Sequence, residues 1–396
     1  MSARKLLLPF LFLITQFVFS QTPLEQIIQK DTFLNRIAQN PAHQVQIIYT
    51  QVNRDDRGQA SFKSFEFGVD TNLYFYPAST VKLPTALLAL EKINQLGIEN
   101  LDKNARMLTG AERAPQTPVF SDTSAQNLQP SIAHYIKKIL LVSDNDAYNR
   151  LYEFLGQKAL NDKLHEKGYT STRIIHRLSV SGYDSIGNRY TNPVRFEDPQ
   201  GNLLYYQGQG FSRSYQKGAL KQQVRGKGYQ SGGEIINEAF DFRYKNYISL
   251  QDLHDVVKAV IFPQSIPAHQ RFDLTEEDYD FVKKYMSMLP RQSDYPAYPK
   301  LKEWDDYVKF LVFGSAKNTI PEHIKIYNKV GDAYGFLTDV AYIVDEKSGV
   351  EFLLAANVHV NANEIFNDGV YEYDALGFPF LGRLGEVILE YERGRK

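Results

Sequence analysis

The sequence predicts a mixed α/β (α+β) fold in which one five-stranded antiparallel sheet carries helices on both faces. Alternating apolar and polar residues mark two segments early in the chain and three segments late in it, and this period of two is typical of strands. A block with helical periodicity separates the two groups of strands, and helical segments also lie at both ends. Because each face of the sheet must be covered, the terminal helices are predicted on one face and a mainly helical subdomain on the other.

The early elements follow from apolar spacing and turn residues. Residues 24–40 place apolar side chains at helical spacing and end at Asn40-Pro41, which predicts one helix. Two alternating segments, 45–52 and 62–69, flank a polar turn that contains Gly58, and this pattern predicts a β-hairpin. Helices are then predicted at 80–96, 131–142, 145–155 and 158–166.

The late elements return to helices and then to strands. Further helices are predicted at 249–261, 275–289, 303–313 and 380–392. Strands are predicted at 323–329, 335–345 and 350–360. In a single antiparallel sheet, this order brings the end of the first late strand beside the start of the 80–96 helix.

Residues 179–231 differ from the rest of the chain in composition. They contain eight glycines, seven Lys or Arg residues and three Asp or Glu residues. Their apolar residues show too little periodicity for a separate core. We interpret this segment as a long, basic, glycine-rich insertion within one domain that spans 21–396.

Residues 1–20 have the pattern of a secretory signal peptide. Arg4 and Lys5 precede an apolar run from Leu6 to Val18, and the small residue Ser20 lies at the predicted cleavage site. A membrane anchor is the alternative, but the apolar run is short for a membrane span. The predicted location is the periplasm or the cell exterior, without a stable membrane anchor once the peptide is cleaved after Ser20.

Composition argues against several classes of function. The chain has no cysteine, so neither a disulfide framework nor a thiolate metal site is expected. Its 45 basic and 46 acidic residues give a net charge of −1, which argues against a nucleic-acid partner. The eight histidines form no His-x-x-x-His pair, and the chain has neither a glycine-rich phosphate loop nor a Gly-x-Ser-x-Gly elbow. We expect no metal and no cofactor, and a monomer that acts on a small molecule.

Ser79 and Lys82 are the first candidate catalytic pair. They lie where the 80–96 helix begins, and that helix is apolar almost all round, so it is predicted to be buried. Residues three apart share a helix face, which would place the Lys82 amine beside the Ser79 hydroxyl as its activating base. The spacing alone is weak evidence, because it also occurs at Ser2…Lys5 and Ser214…Lys217.

Two further motifs accompany this pair. Ser143-Asp144-Asn145 lies between two predicted helices, and Lys329-Val330-Gly331 ends the first late strand. Ser-x-x-Lys, Ser-Asp-Asn and Lys-x-Gly in this order resemble the three active-site motifs of class A β-lactamases and penicillin-binding proteins. The chain is thus similar to secreted class A β-lactamase-like serine hydrolases over most of its length outside 179–231. Taken singly, each motif also fits a helix cap or a solvent-exposed lysine.

The resemblance implies three catalytic residues. Ser79 would be the acylated nucleophile. Lys82 would be its base or proton relay, which requires a pKa lowered by burial and by the neighbouring cation Lys329. Ser143 would pass the proton to the leaving nitrogen.

The resemblance also implies a set of substrate-binding residues. Asn145 would bind the substrate amide, and Lys329 would attract a substrate carboxylate. Gly331 would let the substrate lie against the strand edge. The backbone N–H groups of Ser79 and Asp332 would form the oxyanion hole.

The sequence departs from the family pattern at two points. Val330 stands where the family has Thr or Ser, so one hydroxyl for a substrate carboxylate is missing. The Glu-x-x-Leu-Asn motif that supplies the deacylating glutamate of class A enzymes is also missing, and Glu197, Asp198 and Glu234 are possible substitutes. Lys347-Ser348-Gly349 matches the third motif more literally, but it lies in a predicted turn, so we assign the motif to Lys329.

Three functions are therefore considered. The first is a serine hydrolase that opens a β-lactam or a related amide through an acyl-enzyme on Ser79. The second is a peptidase or esterase of the same fold that acts on cell-wall peptides. β-Lactams would acylate this enzyme, and the resulting acyl-enzyme would be hydrolysed slowly. The third is a binding protein that has kept the fold without catalysis.

Overall fold

The computed structural model describes residues 21–213 and 220–395. The predicted signal peptide and the Ser214…Lys217 pair lie outside these residues. Within the two described ranges, no helix combines the length and the apolar character that a membrane crossing requires.

The helices largely follow the sequence pattern. In the described ranges they are α1 (Pro23–Lys30), α2 (Thr32–Ala38), α3 (Lys82–Leu96), α4 (Ile132–Val142), α5 (Asn145–Leu155), α6 (Gln157–Glu166), α7 (Leu250–Ile261), α8 (Glu276–Ser287) and α9 (Phe378–Arg395). The strands are β1 (Gln46–Arg54), β2 (Ala60–Phe67), β3 (Arg106–Thr109), β4 (Thr172–Arg173), β5 (Val194–Glu197), β6 (Leu203–Gln207), β7 (Val224–Arg225), β8 (Gly228–Ser231), β9 (Glu234–Ile236), β10 (Phe240–Asp241), β11 (Tyr247–Ile248), β12 (Ile324–Ala333), β13 (Phe336–Asp345), β14 (Val350–His359) and β15 (Ile365–Phe366).

The predicted five-stranded antiparallel sheet is confirmed. Its strand order is β12-β13-β14-β1-β2, so the early hairpin pairs with the three late strands through the β1–β14 contact. β12 is an edge strand, and its Lys329 pairs with Val340 of β13. The free side of β12 therefore remains available for contacts outside the sheet.

The two faces of the sheet are covered as predicted. On one face, α1, α2 and α9 pack in a core that includes Leu24, Leu34, Ile343 and Leu384. On the other face, α3 to α8 share a larger core. The three sequence motifs lie where β12 meets the helical side of the molecule.

The prediction of one helix over 24–40 is wrong, because the segment forms two helices. Asp31 ends α1 in an extended conformation and caps α2, where its Oδ1 accepts hydrogen bonds from the N–H groups of Phe33 and Leu34 at 3.0 Å. A side-chain acceptor at this point supplies the cap that starts a new helix.

The predicted helix at 303–313 is also wrong, because this segment forms a series of turns. Asp305 accepts a hydrogen bond from the N–H of Ile320, and Asp306 accepts one from the N–H of Ala316. Carboxylates that bind distant backbone groups compete with helix formation. Val312 also has a φ of 75°, which no α-helix contains.

The segment 179–231 contributes to the main core. Its strand β5 pairs with β3, a strand that the sequence reasoning missed. Val194 and Phe196 of β5 are fully buried beside the helices of the subdomain. The apolar residues of the segment thus serve a shared core, which explains why they are too few to form one alone.

Candidate active site

Ser79 lies in a tight 3-10 turn, Ala78–Val81, that leads directly into α3. The turn begins with Ala78 at a φ of 46°, which is uncommon for a residue with a side chain. The helix that follows is buried along its first ten residues, as its apolar sequence indicated. Ser79, the predicted nucleophile, is therefore held on a constrained turn at the start of a buried helix.

Gly331 allows β12 to approach this turn. A Cβ atom on Gly331 would lie 2.4 Å from the carbonyl oxygen of Pro77 and 3.0 Å from the nitrogens of Ser79 and Thr80. The expected reason for this glycine, room for the substrate, therefore needs correction. The nucleophile turn occupies that room, and the glycine is needed for the contact between protein backbones.

The second motif takes up its position through an unusual cap. Ser143 ends α4 with a φ of 59°, and Asp144 caps α5 by accepting a hydrogen bond from the N–H of Ala147 at 2.8 Å. The hydroxyl of Ser143 is therefore not used as the helix cap that its sequence context also allowed. It faces the amines of Lys82 and Lys329 instead.

Lys82 is fully buried and bound to the second motif. Its Nζ donates to Asn145 Oδ1 at 2.7 Å, to the Ser143 carbonyl oxygen and to Ser143 Oγ at 3.2 Å. Within the described ranges, the hydroxyl of Ser79 has no hydrogen-bond partner. The structure therefore brings Lys82, Ser143 and Asn145 together, whereas the direct Ser79–Lys82 hydrogen bond is not formed.

Lys329 is buried and does not face water as a strand-end lysine would. Its Nζ donates to Ser143 Oγ at 2.8 Å and to the Val330 carbonyl oxygen at 2.9 Å. The more literal match at Lys347-Ser348-Gly349 lies in the turn at the far end of β13, where Ser348 donates to Asp345. The geometry therefore agrees with Lys329 as the third motif.

Burial shifts the pKa values of both lysines. The pKa of Lys82 lies well below its usual range because of burial and, secondarily, because of the charge of Lys329. Burial also lowers the pKa of Lys329 to about 7, against the opposing attraction of Asp332. A neutral Lys82 amine has two N–H donors for Ser143 O and Asn145 Oδ1, so its lone pair remains free to accept a proton.

Ser79 lines a cleft of about 730 Å³. Ser79, Ser143, Asn145 and Asp332 of the predicted site line this cleft. It is also lined by five tyrosines that sequence reasoning missed, namely Tyr76, Tyr307, Tyr334, Tyr371 and Tyr373. Only the hairpin turn at Tyr334-Gly335, next to the third motif, had a detectable sequence signal.

None of the proposed substitutes for the deacylating glutamate lines the cleft. Glu197 is paired with Arg106 and Arg195. Asp198 accepts hydrogen bonds within its own turn, and Glu234 is exposed on β9. Among the residues that line the cleft, Asp332 is the only one with a carboxylate.

The loop that follows α6 reaches the cleft with a hydroxyl instead of a carboxylate. Arg177 anchors it through a fully buried ion pair with Glu153 at 2.9 Å. Asn149 fixes Leu178 with two backbone hydrogen bonds, and the Ser179 hydroxyl accepts a bond from Asn145 Nδ2 at 3.0 Å. Ser179 was not predicted as a site residue.

Comparison with known proteins agrees with this fold. The model of the β-lactamase enzyme family matches residues 24–266, and the chain belongs to this family. Family membership indicates a hydrolase. No curated protein matches the chain.

Several solved structures are similar to this chain at low sequence identity. A β-lactamase from Desulfarculus baarsii has a TM-score of 0.50 and 13% identity, with 94% of this chain and 98% of that chain covered. A structure of PBP-A has a TM-score of 0.49 and 16% identity, with 93% and 94% covered. An ancestral class A β-lactamase (GNCA) has a TM-score of 0.46 and 12% identity, with 92% and 100% covered. At such identities the D. baarsii structure supports the shared fold alone.

Proposed function

We propose that this chain is a serine hydrolase that forms an acyl-enzyme on Ser79 with a small amide, lactam or ester. The observation that carries the proposal is the buried Lys82 amine, one turn beyond Ser79. Its pKa is lowered by burial and by Lys329, and Ser143 and Asn145 hold it in place. A neutral amine at this position is a base for the nucleophile.

Acylation then proceeds through the groups in contact. The Ser79 oxygen bonds to the substrate carbonyl carbon as its proton passes to the Lys82 lone pair. When the carbon–nitrogen bond breaks, the proton returns through Ser143 to the leaving nitrogen. Lys329 and Lys82 both donate to Ser143 Oγ, so the hydrogen of the Ser143 hydroxyl can point towards the leaving nitrogen. The Ser79–Lys82 contact is expected to form when substrate binds, since such contacts are often loose in free enzymes.

A second candidate function differs in the step after acylation. It is a peptidase or esterase that acts on cell-wall peptides. β-Lactams acylate this enzyme, and the acyl-enzyme is then hydrolysed slowly. The observation that favours it is the contact of Ser179, a hydroxyl residue, with Asn145, in a loop where no carboxylate reaches the cleft. Water would then attack the acyl-enzyme without a dedicated base.

Intact-protein mass spectrometry after exposure to benzylpenicillin tests the proposal. We expect a mass gain equal to one penicillin in the wild type and none in Ser79→Ala. A gain that persists for hours favours the second candidate, and rapid loss of the gain with product release favours a β-lactamase. Absence of both an adduct and turnover, with penicillin and with a neutral thioester, would overturn the proposal and favour a silent binding protein.

We also propose that the chain is exported to the periplasm or the cell exterior and acts there as a monomer on a small-molecule substrate. The support is the signal-peptide pattern of residues 1–20. Mass spectrometry of the protein from cell fractions tests this, because the exported form should begin at Gln21. A full-length chain retained in the cytoplasm would contradict it.

A further inference from the structure

A side cavity next to Ser143 extends the cleft. It has a volume of about 190 Å³ and shares Val142, Ser143, Tyr307 and Asp332 with the cleft. Aromatic and carboxylate side chains complete its wall, and these include Trp304, Phe310, Phe378 and Asp374. A substrate bound at Ser79 can therefore place one end in this cavity without leaving the cleft.

The charged groups that this combined space presents to a ligand are carboxylates. Asp332 and Asp374 line it, and no lysine or arginine does. Both carboxylates are exposed, and Asp332 is also attracted by the charges of the buried Lys329 and Lys82. Lys82 and Lys329 lie beneath the cleft surface, where both are buried and donate to Ser143.

The aromatic rings of the cavity wall also favour a cationic ligand. The rings of Trp304 and Tyr307 meet edge to face with centroids 5.1 Å apart. Faces of such rings attract ammonium groups, and the exposed Lys317 already places its Nζ 4.9 Å from the Trp304 centroid. Lys317 does not line the cavity, so its ammonium leaves the space open.

We infer that this side cavity binds an ammonium group on the leaving side of the substrate. The enzyme would thus select a cationic acyl donor. This inference rests on the proposed function and names its class of substrate. It reverses the preference that the family resemblance implies, in which Lys329 attracts a substrate carboxylate. A carboxylate in this cavity would face Asp332 and Asp374, with Val330 offering no hydroxyl in compensation.

A binding experiment tests the cavity without catalysis. Trp304 is the single tryptophan of the chain, so its fluorescence reports on this wall alone. We expect a saturable change with butylammonium and none with butyrate at equal ionic strength. Asp374→Asn should weaken butylammonium binding by roughly twofold to fivefold, as expected for a partly exposed ion pair. Asp56→Asn, the same change in an exposed turn, should leave it unaffected.

A kinetic experiment tests the selectivity. The substrates are phenylacetyl thioesters whose leaving thiol is cationic (thiocholine), neutral (mercaptoethanol) or anionic (mercaptopropanoate). We expect the rate of thiol release to fall in that order, with the cationic-to-anionic ratio reduced in Asp374→Asn but not in Asp56→Asn.

Equal responses to butylammonium and butyrate, or a ratio insensitive to Asp374→Asn, would overturn the inference. Failure of the proposed function gives a result that differs from failure of this inference. In that case even the neutral thioester releases no thiol and leaves no adduct on Ser79, while the fluorescence titration still decides whether the cavity binds a cation.

Discussion

Replacing Lys82 with methionine should separate catalysis from stability. Methionine has nearly the shape of the lysine stem, and it removes the amine that donates to Ser143 and Asn145. We expect Lys82→Met to lose acylation of Ser79 while the free energy of unfolding changes little. If Lys82 served only for packing, the variant would keep acylation and lose free energy of unfolding.

The magnitude follows from two opposing costs. The pKa of Lys82 lies well below its usual range, chiefly because burial disfavours the charged amine, so burying this amine costs stability. Methionine removes this cost but leaves two buried acceptors without a donor, at about 1–3 kcal/mol each. These two effects oppose each other, so we expect the free energy of unfolding to change by less than it does for a core truncation, whereas loss of a general base slows acylation about 10²–10⁴-fold.

Thermal unfolding and the rate of adduct formation are the two measurements. Lys92→Met is the matched control, because Lys92 is a half-buried lysine of the same helix, about 15 Å further along. Its Nζ donates to Gln207, away from the cleft, so acylation should be unchanged. Acylation of Lys82→Met within tenfold of the wild type, or unfolding weakened by as much as a core truncation, about 3 kcal/mol, would refute the reasoning.

Three further predictions concern Gly331, Lys329 and the substrate carboxylate. Gly331→Ala should lower the free energy of unfolding by about 1–3 kcal/mol and slow acylation, because its Cβ would lie 2.4 Å from the Pro77 carbonyl oxygen. Denaturant unfolding with Gly394→Ala as control checks this, and a variant as stable and active as the wild type would contradict it. Acylation should fall as the pH rises through about 7, where Lys329 loses the positive charge that it places beside Ser143. Rate–pH profiles should show that Lys329→Met acylates slowly and that its rate does not fall above about pH 7. The same fall in rate in the variant would exclude Lys329 as the group that titrates. The methyl ester of benzylpenicillin should acylate Ser79 faster than the free acid does, because it carries no carboxylate towards Asp332; equal rates in the mass assay would count against this.

The sheet could be predicted because its signal is local. Alternation along 335–345 and 350–360 identifies two strands, and a short turn between them leaves antiparallel pairing as the simple outcome. The segment 303–313 shows the limit of such reasoning. Its apolar spacing favours a helix, but Asp305 and Asp306 bind backbone groups ten or more residues away. A local pattern contains no information about such long-range acceptors.

The candidate site likewise contains residues that the sequence identified and residues that it missed. Ser79, Lys82 and Lys329 could be identified because their spacing or their place on a strand is readable from the chain. Tyr371 and Tyr373 reach the cleft from the connection before α9, where no periodicity or motif marks them. The reason for Gly331 was also misjudged, since a sequence shows that a position is small but not which neighbour requires it.

The step after acylation depends on how firmly the loop at 177–179 is held. Breaking a buried ion pair costs about 3–5 kcal/mol, so the Arg177–Glu153 contact makes a large rearrangement of this loop unfavourable. Asn149 adds two hydrogen bonds to Leu178, which keeps Ser179 against Asn145. A carboxylate elsewhere in the 179–231 segment therefore cannot replace Ser179 without unfolding part of the core. Under the proposed function, Ser179 and the residues that hold it supply no carboxylate base for release of the acyl group from Ser79, and we therefore expect a long-lived acyl-enzyme.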